Sequence, residues 1–403
     1  MRIIYLWDAD YPWDVRVHKI CLSLTEGGHE VRILARNRRW EPDVATVPEG
    51  EIHRMKPWRW LGRKLDSWLA FPAFINPRWI RLLDHAVRRW KPDAVIVRDL
   101  PLAPTAAWVG TRANVPVILD MAENYPAMIQ LIWDTGQSKS FDHLVRNPRI
   151  VAAVERWVLP RVSRIWVDVE EQRDRLAGLG VGLPPVDVVR NTPPRDRVGP
   201  PPTARARTDG VRLEVVYLGI LELQRGIGDL LDAAAILRER GEPIRVVIVG
   251  NGRDEALFRR QAAALGLDEG LAEFTGFLPH EKALERVARA DVGANPIHRN
   301  EKHDTTLPNK LFDYMAAGLP VLTSDSTPSA RVVKANECGE VFRSGDPADL
   351  AEAVRRMFPR ERRLAMGLRG QAAIATDFNW GEDEKRVLRS LQQLAETDGE
   401  HAG

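Results

Sequence analysis

At 403 residues the chain is longer than one hydrophobic core usually organises, so two domains are the starting expectation. Hydrophobic residues at 44% and charged residues at 28% describe a folded globular protein and exclude an intrinsically disordered one. No apolar run approaches the roughly 18 residues of a membrane span, no stretch reads as a signal peptide, and the two cysteines, Cys21 and Cys338, lie too far apart to suggest a disulfide framework or a cysteine zinc site. A cytoplasmic setting is therefore expected.

The net charge of +2 conceals a local excess, which appears as the chain is followed. Residues 3–7 read as a buried strand, and Asp8-Ala9-Asp10 follows directly. That acid spacing occurs in metal-dependent sugar transfer, but here it sits directly after the first strand, and no metal is expected. A helix is predicted over 15–26, stopped by Gly27-Gly28, and then a strand over 31–35. Between Arg54 and Lys91, ten basic residues face only Asp66 and Asp84, with Trp58, Trp60, Trp68, Phe71, Phe74, Trp79 and Trp90 among them. Tryptophan interleaved with Lys and Arg suits an anionic lipid headgroup boundary, so peripheral contact with the inner face of a membrane is one reading. A solvated helical pair packed by its aromatic residues is the other. No nucleic-acid recognition motif accompanies the charge, so no nucleic-acid partner is expected.

Strands are predicted at 94–97, 117–119, 164–167 and 186–189. The texture then changes to TPPRDRVGPPPTARARTDG, a linker placed at 193–210. The same grammar restarts beyond it, with strands at 213–218, 244–249, 273–276, 290–294 and 320–324 and helices over 228–240 and from 252 to about 265. The predicted organisation is an α/β fold of two Rossmann-like, doubly wound domains facing a cleft. Residues 1–192 form the first domain, 211–378 the second, and 379–403 a helical segment packing back on the first domain. Ligands of such sheets bind beyond the carboxyl ends of the strands, which directs attention to the residues there.

The sharpest signal runs from Thr305 to Val321. Pro308 suits a first helical turn, Gly318 and Pro320 end the helix, and the first-turn N–H groups after Pro308, at Asn309 and Lys310, with the Lys310 ammonium make a phosphate-binding terminus. Asp313 follows Lys310 one turn on, placed for a ribose diol. The run Asp313-Tyr314-Met315-Ala316-Ala317-Gly318-Leu319-Pro320-Val321 resembles the signature of glycosyltransferase family 4, retaining enzymes of GT-B fold. Their E-x7-E motif has a second acid that opens a run like Glu-Ala-Met-Ala-Cys-Gly-x-Pro-Val. Asp313 matches that ribose-binding acid. The first acid falls at Thr305, which carries no carboxylate, and Glu301 or Asp304 is the candidate stand-in.

The resemblance extends through Gly219-Ile220 and Arg225-Gly226, where the family carries Gly-Arg and Lys-Gly to grip a diphosphate. Arg225 keeps one charge and Ile220 lacks the other. The turn at Gly250 and the pair Gly276-Phe277, the latter matching a loop that meets the nucleobase, complete the implied donor site. In the first half, Asp14, Arg16 and His18 resemble the family's opening loop on the acceptor or phosphate side. Asp120 and Glu123, at the end of a predicted strand, are placed to orient an acceptor hydroxyl. Asp120, Glu123 and His18 are the candidate catalytic groups. The resemblance implies a retaining, metal-independent glycosyltransferase using a nucleotide-diphosphate sugar, a glycan or lipid-linked acceptor and no further cofactor, in polysaccharide biosynthesis. A sugar-nucleotide epimerase of the same fold and a non-catalytic membrane-assembly scaffold are the rival readings.

Overall fold

A computed structural model describes residues 1–12, 14–71, 74–136, 146–200, 212–267 and 270–401; within the predicted linker, residues 201–210 lie outside the described residues. The chain divides into two compact units, Met1–Asn191 with Asp383–Gly403, and Thr192–Glu382.

The first unit contains β1 (Arg2–Asp10), β2 (Glu30–Arg36), β3 (Val44–Val47), β4 (Gly50–Arg54), β5 (Ala94–Arg98), β6 (Val117–Met121), β7 (Arg164–Val167) and β8 (Val186–Val188). They make one eight-stranded sheet in the order β3-β4-β2-β1-β5-β6-β7-β8. Every pairing is parallel except β3 with β4. β5 and β6 are buried at every residue, which is why they read as continuous apolar runs and not as alternating ones. The helix Pro77–Trp90 covers this sheet with Trp79, Leu83 and Val87, so Trp79 belongs to the core and not to an exposed aromatic face. The last helix, Trp380–His401, reaches the same sheet through Ser390, whose hydroxyl receives Trp166 Nε1 (2.7 Å) and donates to Asp187 (2.6 Å).

The second unit contains β9 (Leu213–Leu218), β10 (Ile244–Val249), β11 (Ala272–Gly276), β12 (Val292–Asn295), β13 (Val321–Ser324) and β14 (Gly339–Phe342), paired in parallel in the order β11-β10-β9-β12-β13-β14. Each sheet thus reverses its winding once, between β1 and β5 in the first and between β9 and β12 in the second. These are the switch points where a doubly wound sheet opens a crevice. The helix after the Pro308 turn is Asn309–Ala316, with Pro308 as its N-cap residue, one position earlier than the sequence placed it. Unforeseen elements are β14 and the β3–β4 hairpin, whose short strands give little periodic signal.

Candidate functional site

In the second unit, β9 and β10 end side by side and run straight into Gly219 and Gly250, with φ of +139° and +134°. A Cβ on Gly250 would lie 2.0 Å from the Gly219 carbonyl oxygen, so only bare backbone allows the two turns to stack. Beyond them a single turn, Leu223–Arg225, is closed by Gly226, where a Cβ would meet the Pro296 carbonyl oxygen at 1.7 Å. This turn presents Arg225, whose Nε is buried without a hydrogen-bond partner.

The helix Asn309–Ala316 is fastened at the switch point by Tyr314. Its hydroxyl accepts from Leu218 N (2.8 Å) and donates to the Ala294 carbonyl (3.1 Å), tying the helix to β9 and β12. One turn earlier, the Lys310 Nζ stands 3.8 Å from the centre of the Tyr217 ring, against its face. Burial pushes the Lys310 ammonium well below its ordinary pKa and the Arg225 charge adds to this, with Asp313 opposing. Among the described residues, neither Lys310 nor Arg225 makes an ion pair with a carboxylate. Two cations brought together with only the neighbouring Asp313 to offset them constitute an electrostatic demand for a further anion.

Asp313 lies three residues from Lys310 with its side chain 13% exposed, and Arg197 Nη1 stands 3.8 Å from its carboxylate. Arg197, which the sequence left in the linker, also sits 2.8 Å from His280 Nε2. Gly250 N donates to the Gly276 carbonyl (3.0 Å), and the adjoining Phe277 is 72% exposed. Asn309 is exposed at the helix start. Of the proposed stand-ins for the first acid, Asp304 already accepts from Arg299 and from the amide of Thr327, which opens the next helix, while Glu301 is exposed. Thr305 turns its hydroxyl back onto the carbonyls of Glu301 and Lys302. His303 is buried with Nδ1 2.7 Å from the His298 carbonyl; burial, with Arg225 and Lys302 assisting, brings its pKa down to about 4 against that hydrogen bond.

The first unit places a different chemistry at its switch point. Asp120 ends β6 fully buried. The Arg16 guanidinium forks onto it through Nε (2.9 Å) and Nη2 (2.6 Å), and Tyr5 donates to its other oxygen (2.6 Å). Arg16, 1% exposed, directs its remaining nitrogen at the Val189 carbonyl (2.8 Å). Arg98, the register partner of Asp120, comes within 3.5 Å of both Asp120 and Asp99. Burial alone would raise the Asp120 pKa, but Arg16 and Arg98 outweigh it and hold the carboxylate below its usual range. Asp99 goes the other way, pushed up to about 7 by burial and by neighbouring acids despite Arg98. Asp168, after β7, is also buried and raised, chiefly by desolvation.

Three sequence readings change here. Asp120 and Arg16, read as a catalytic acid and an acceptor-side cation, are sealed partners of one another. Asp14, read as a phosphate-side group, caps the helix Val15–Glu26 by accepting from the amides of Arg16 and Val17 (both 2.9 Å). His18 is half exposed with Nδ1 3.0 Å from Glu49, a buried acid that also receives the Tyr11 hydroxyl. Burial would raise Glu49, and the bonds from Tyr11 and His18 more than reverse this. Glu123 is half-buried beside Asp99 and Asp168. The sequence missed Tyr5, Glu49, Arg98, Asp99 and Asp168. The usable signal was a charged residue directly closing an apolar strand, as in Val97-Arg98-Asp99 and Val167-Asp168.

Comparison with known proteins agrees with both halves. A family model described as "Glycosyl transferase 4-like domain" matches residues 14–192, and one described as "Glycosyl transferases group 1" matches residues 212–359. The chain is 31% identical to a phosphatidyl-myo-inositol mannosyltransferase of Mycobacterium leprae, over 98% of this chain and 97% of that protein. Among solved structures, the sucrose-phosphate synthase of Thermosynechococcus elongatus superposes with a TM-score of 0.75 at 17% identity, covering 98% of this chain and all of that one. Anabaena HepE in complex with UDP-glucose superposes with a TM-score of 0.69 at 14% identity, again over 98% of this chain and all of the other.

Proposed function

The chain is a glycosyltransferase of the group 1, family-4-like class, and on that premise we propose that it moves a sugar from a nucleoside-diphosphate donor, held by its second unit, to a glycan or lipid-linked acceptor. The observation that carries the donor assignment is the pair of uncompensated cations, Lys310 and Arg225, beside the Gly219 turn. A diphosphate supplies the missing anion. Asp313 then takes the ribose, and Gly276 and the exposed Phe277 ring take the base. That a related fold was solved with UDP-glucose supports this reading.

During transfer the bond from the anomeric carbon to the diphosphate oxygen breaks, and its electron pair leaves with the phosphate. The acceptor hydroxyl oxygen bonds to the same carbon, and its proton passes to the departing phosphate. Lys310, Arg225 and the first-turn amides of Asn309–Ala316 stabilise the charge that develops on the leaving group. A divalent ion would perform the same service, so the proposed reaction needs none, and the family resemblance implies retention at the anomeric carbon. In the first unit the half-exposed His18, braced by Glu49, and Glu123 are the groups left to meet the acceptor, while Asp120 and Arg16 close on each other in the interior.

Calorimetry with UDP and GDP tests the donor site. One of the two should bind in the presence of a chelator, and Lys310→Ala and Arg225→Ala should each weaken it by about 10–100-fold, the worth of a charge-assisted hydrogen bond. Unchanged affinity in both variants would refute the assignment.

The acceptor side carries an exposed basic and aromatic face. No described helix is long and apolar enough to cross a membrane. In the helix Gly62–Leu69 and the turn before it, Trp60 is 80% and Trp68 55% exposed, with Arg59, Arg63 and Lys64 also exposed. Asp66 is turned inward and paired with Arg78 (2.8 Å), so the outward surface is left cationic. We therefore propose peripheral attachment to an anionic bilayer surface. Flotation with phosphatidylglycerol vesicles at low salt should carry the protein upward and fail for Trp60→Ala/Trp68→Ala; a wild-type protein that stays at the bottom sinks the idea.

A further inference from the structure

The second unit keeps a buried nitrogen at its switch point that neither the diphosphate nor the nucleoside explains. His303 opens the single turn His303–Thr305 and is 2% exposed, and its Nε2 is buried with no hydrogen-bond partner among the described residues. The loop that carries it is pinned to the turn presenting Arg225. The Pro296 carbonyl fills the space a side chain at Gly226 would need, and His298 N donates to the Gln224 carbonyl (3.0 Å). His298 Nε2 in turn stands 2.8 Å from Asp229 in the helix Ile227–Glu239. Arg225 is close enough for its charge to act on the His303 ring.

The hydrogen bond on the other side of the ring fixes what Nε2 can do. Nδ1 stands 2.7 Å from the His298 carbonyl, and a carbonyl oxygen only accepts, so Nδ1 carries the proton. The Asn300 side-chain amide, 2.9 Å from the same nitrogen, takes that carbonyl as its acceptor (3.4 Å) and receives His303 N on its oxygen (2.9 Å). With its pKa brought down to about 4, the ring is neutral near pH 7. Nε2 is therefore a bare lone pair, which accepts a hydrogen bond and offers none. An ionised phosphate oxygen has no proton to give it, so this nitrogen does not serve the diphosphate. Its neighbours do not take its place, because Asp304 is held by Arg299 and the Thr327 amide, and the Thr305 hydroxyl is turned onto backbone.

We propose that His303 Nε2 receives a hydroxyl of the transferred sugar and selects among donors by where that hydroxyl stands. The inference rests on the donor reading above and deepens it from the diphosphate to the sugar. A hydroxyl has the proton that the lone pair needs, and the sugar is the part of the donor joined to the diphosphate beside Arg225. A neutral acceptor holds it without placing an anion next to that cation, which keeps Arg225 for the charge developing on the leaving phosphate. A sugar without the hydroxyl would leave the nitrogen buried and unanswered, which is the strongest kind of discrimination a site of this sort has.

Calorimetry on the full chain with UDP, GDP, UDP-glucose, UDP-galactose and GDP-mannose tests it. His303→Asn keeps an amide donor for the His298 carbonyl and removes Nε2. It should leave the affinity for the free nucleoside diphosphate within about twofold and weaken the tightest of the nucleotide sugars by about tenfold. His303→Gln, whose amide oxygen reaches the Nε2 position, should recover part of that loss. Fluorine cannot donate, so exchanging the sugar hydroxyls for fluorine one at a time should find a position that costs about tenfold in the wild type and nothing further in His303→Asn. Equal losses for diphosphate and nucleotide sugar would overturn the proposal by making the ring structural. No loss for either would overturn it too, with water answering the nitrogen. A wild type that binds neither UDP nor GDP would instead sink the donor assignment, and this contact with it.

Discussion

The same reversal of winding produces two switch points with opposite electrostatic characters. Beside β1 and β5, charges are packed in compensating groups: Arg16 forks onto Asp120, Tyr5 and Arg98 flank it, and burial with the neighbouring acids pushes the Asp99 carboxyl up to about 7. Beside β9 and β12, Lys310 rests on an aromatic face and the Arg225 Nε is buried without a hydrogen-bond partner, and neither makes an ion pair with a carboxylate among the described residues. The difference teaches where each unit keeps its stability and where it keeps its affinity. A compensated buried network holds a shape, whereas an uncompensated pair of cations costs stability until a ligand arrives.

Breaking the first network tests this at its strongest point. Asp120→Ala leaves Arg16 buried at 1% exposure without its counter-ion, and a loss of about 3–5 kcal/mol is expected, read from urea unfolding. A loss below about 1 kcal/mol would mean the network is not what holds this edge of the sheet together.

The two regions should also respond to pH with opposite slopes. Asp99 has a folded pKa of about 7 against an ordinary 3.8, so its contribution is fully present below the lower value and is lost as pH rises through about 7. His303, at about 4 against 6.5, contributes stability that is fully present above 6.5 and is lost as pH falls through about 4. Asp99→Asn mimics the protonated acid and should gain on the wild type by about 2 kcal/mol between pH 5 and pH 8. His303→Gln mimics the neutral ring and should gain by a similar or smaller amount in the other direction, from pH 8 down to pH 5. Parallel stability curves for either variant and the wild type would remove that residue from the comparison.

How much of this was legible depended on whether a residue's partner lay nearby in sequence. Strands such as residues 213–218 and 244–249 announce themselves by apolar runs broken only at Glu214 and Arg245, and the turns at Gly219 and Gly250 follow from where those runs stop. Lys310 and Asp313 were visible because three residues on a helix fix their relation. Arg16 and Asp120 were each found, but their pairing spans 104 residues and nothing local encodes it, so both were read as open to ligand when each closes the other. Glu49 escaped because the β3–β4 hairpin that carries it has strands of four and five residues, too short to show a period. Asp8 was set aside when its spacing to Asp10 suggested a metal. Only the fold shows that Asp10 faces Arg38 and Asp8 a cavity.

The smallest effect sharpens the comparison most. If the Lys310 charge is held against its own desolvation, Lys310→Met should keep the packing over Tyr217, remove the penalty and raise the unfolding free energy by on the order of 1 kcal/mol. Nucleoside-diphosphate affinity should collapse in the same variant, so the two readouts move in opposite directions. A residue placed for stability would lower the unfolding free energy when replaced, as Asp120→Ala does. If Lys310→Met lowered the melting temperature, the ring contact would outweigh desolvation, and the cation would belong with the structural network of the first unit rather than stand waiting for phosphate.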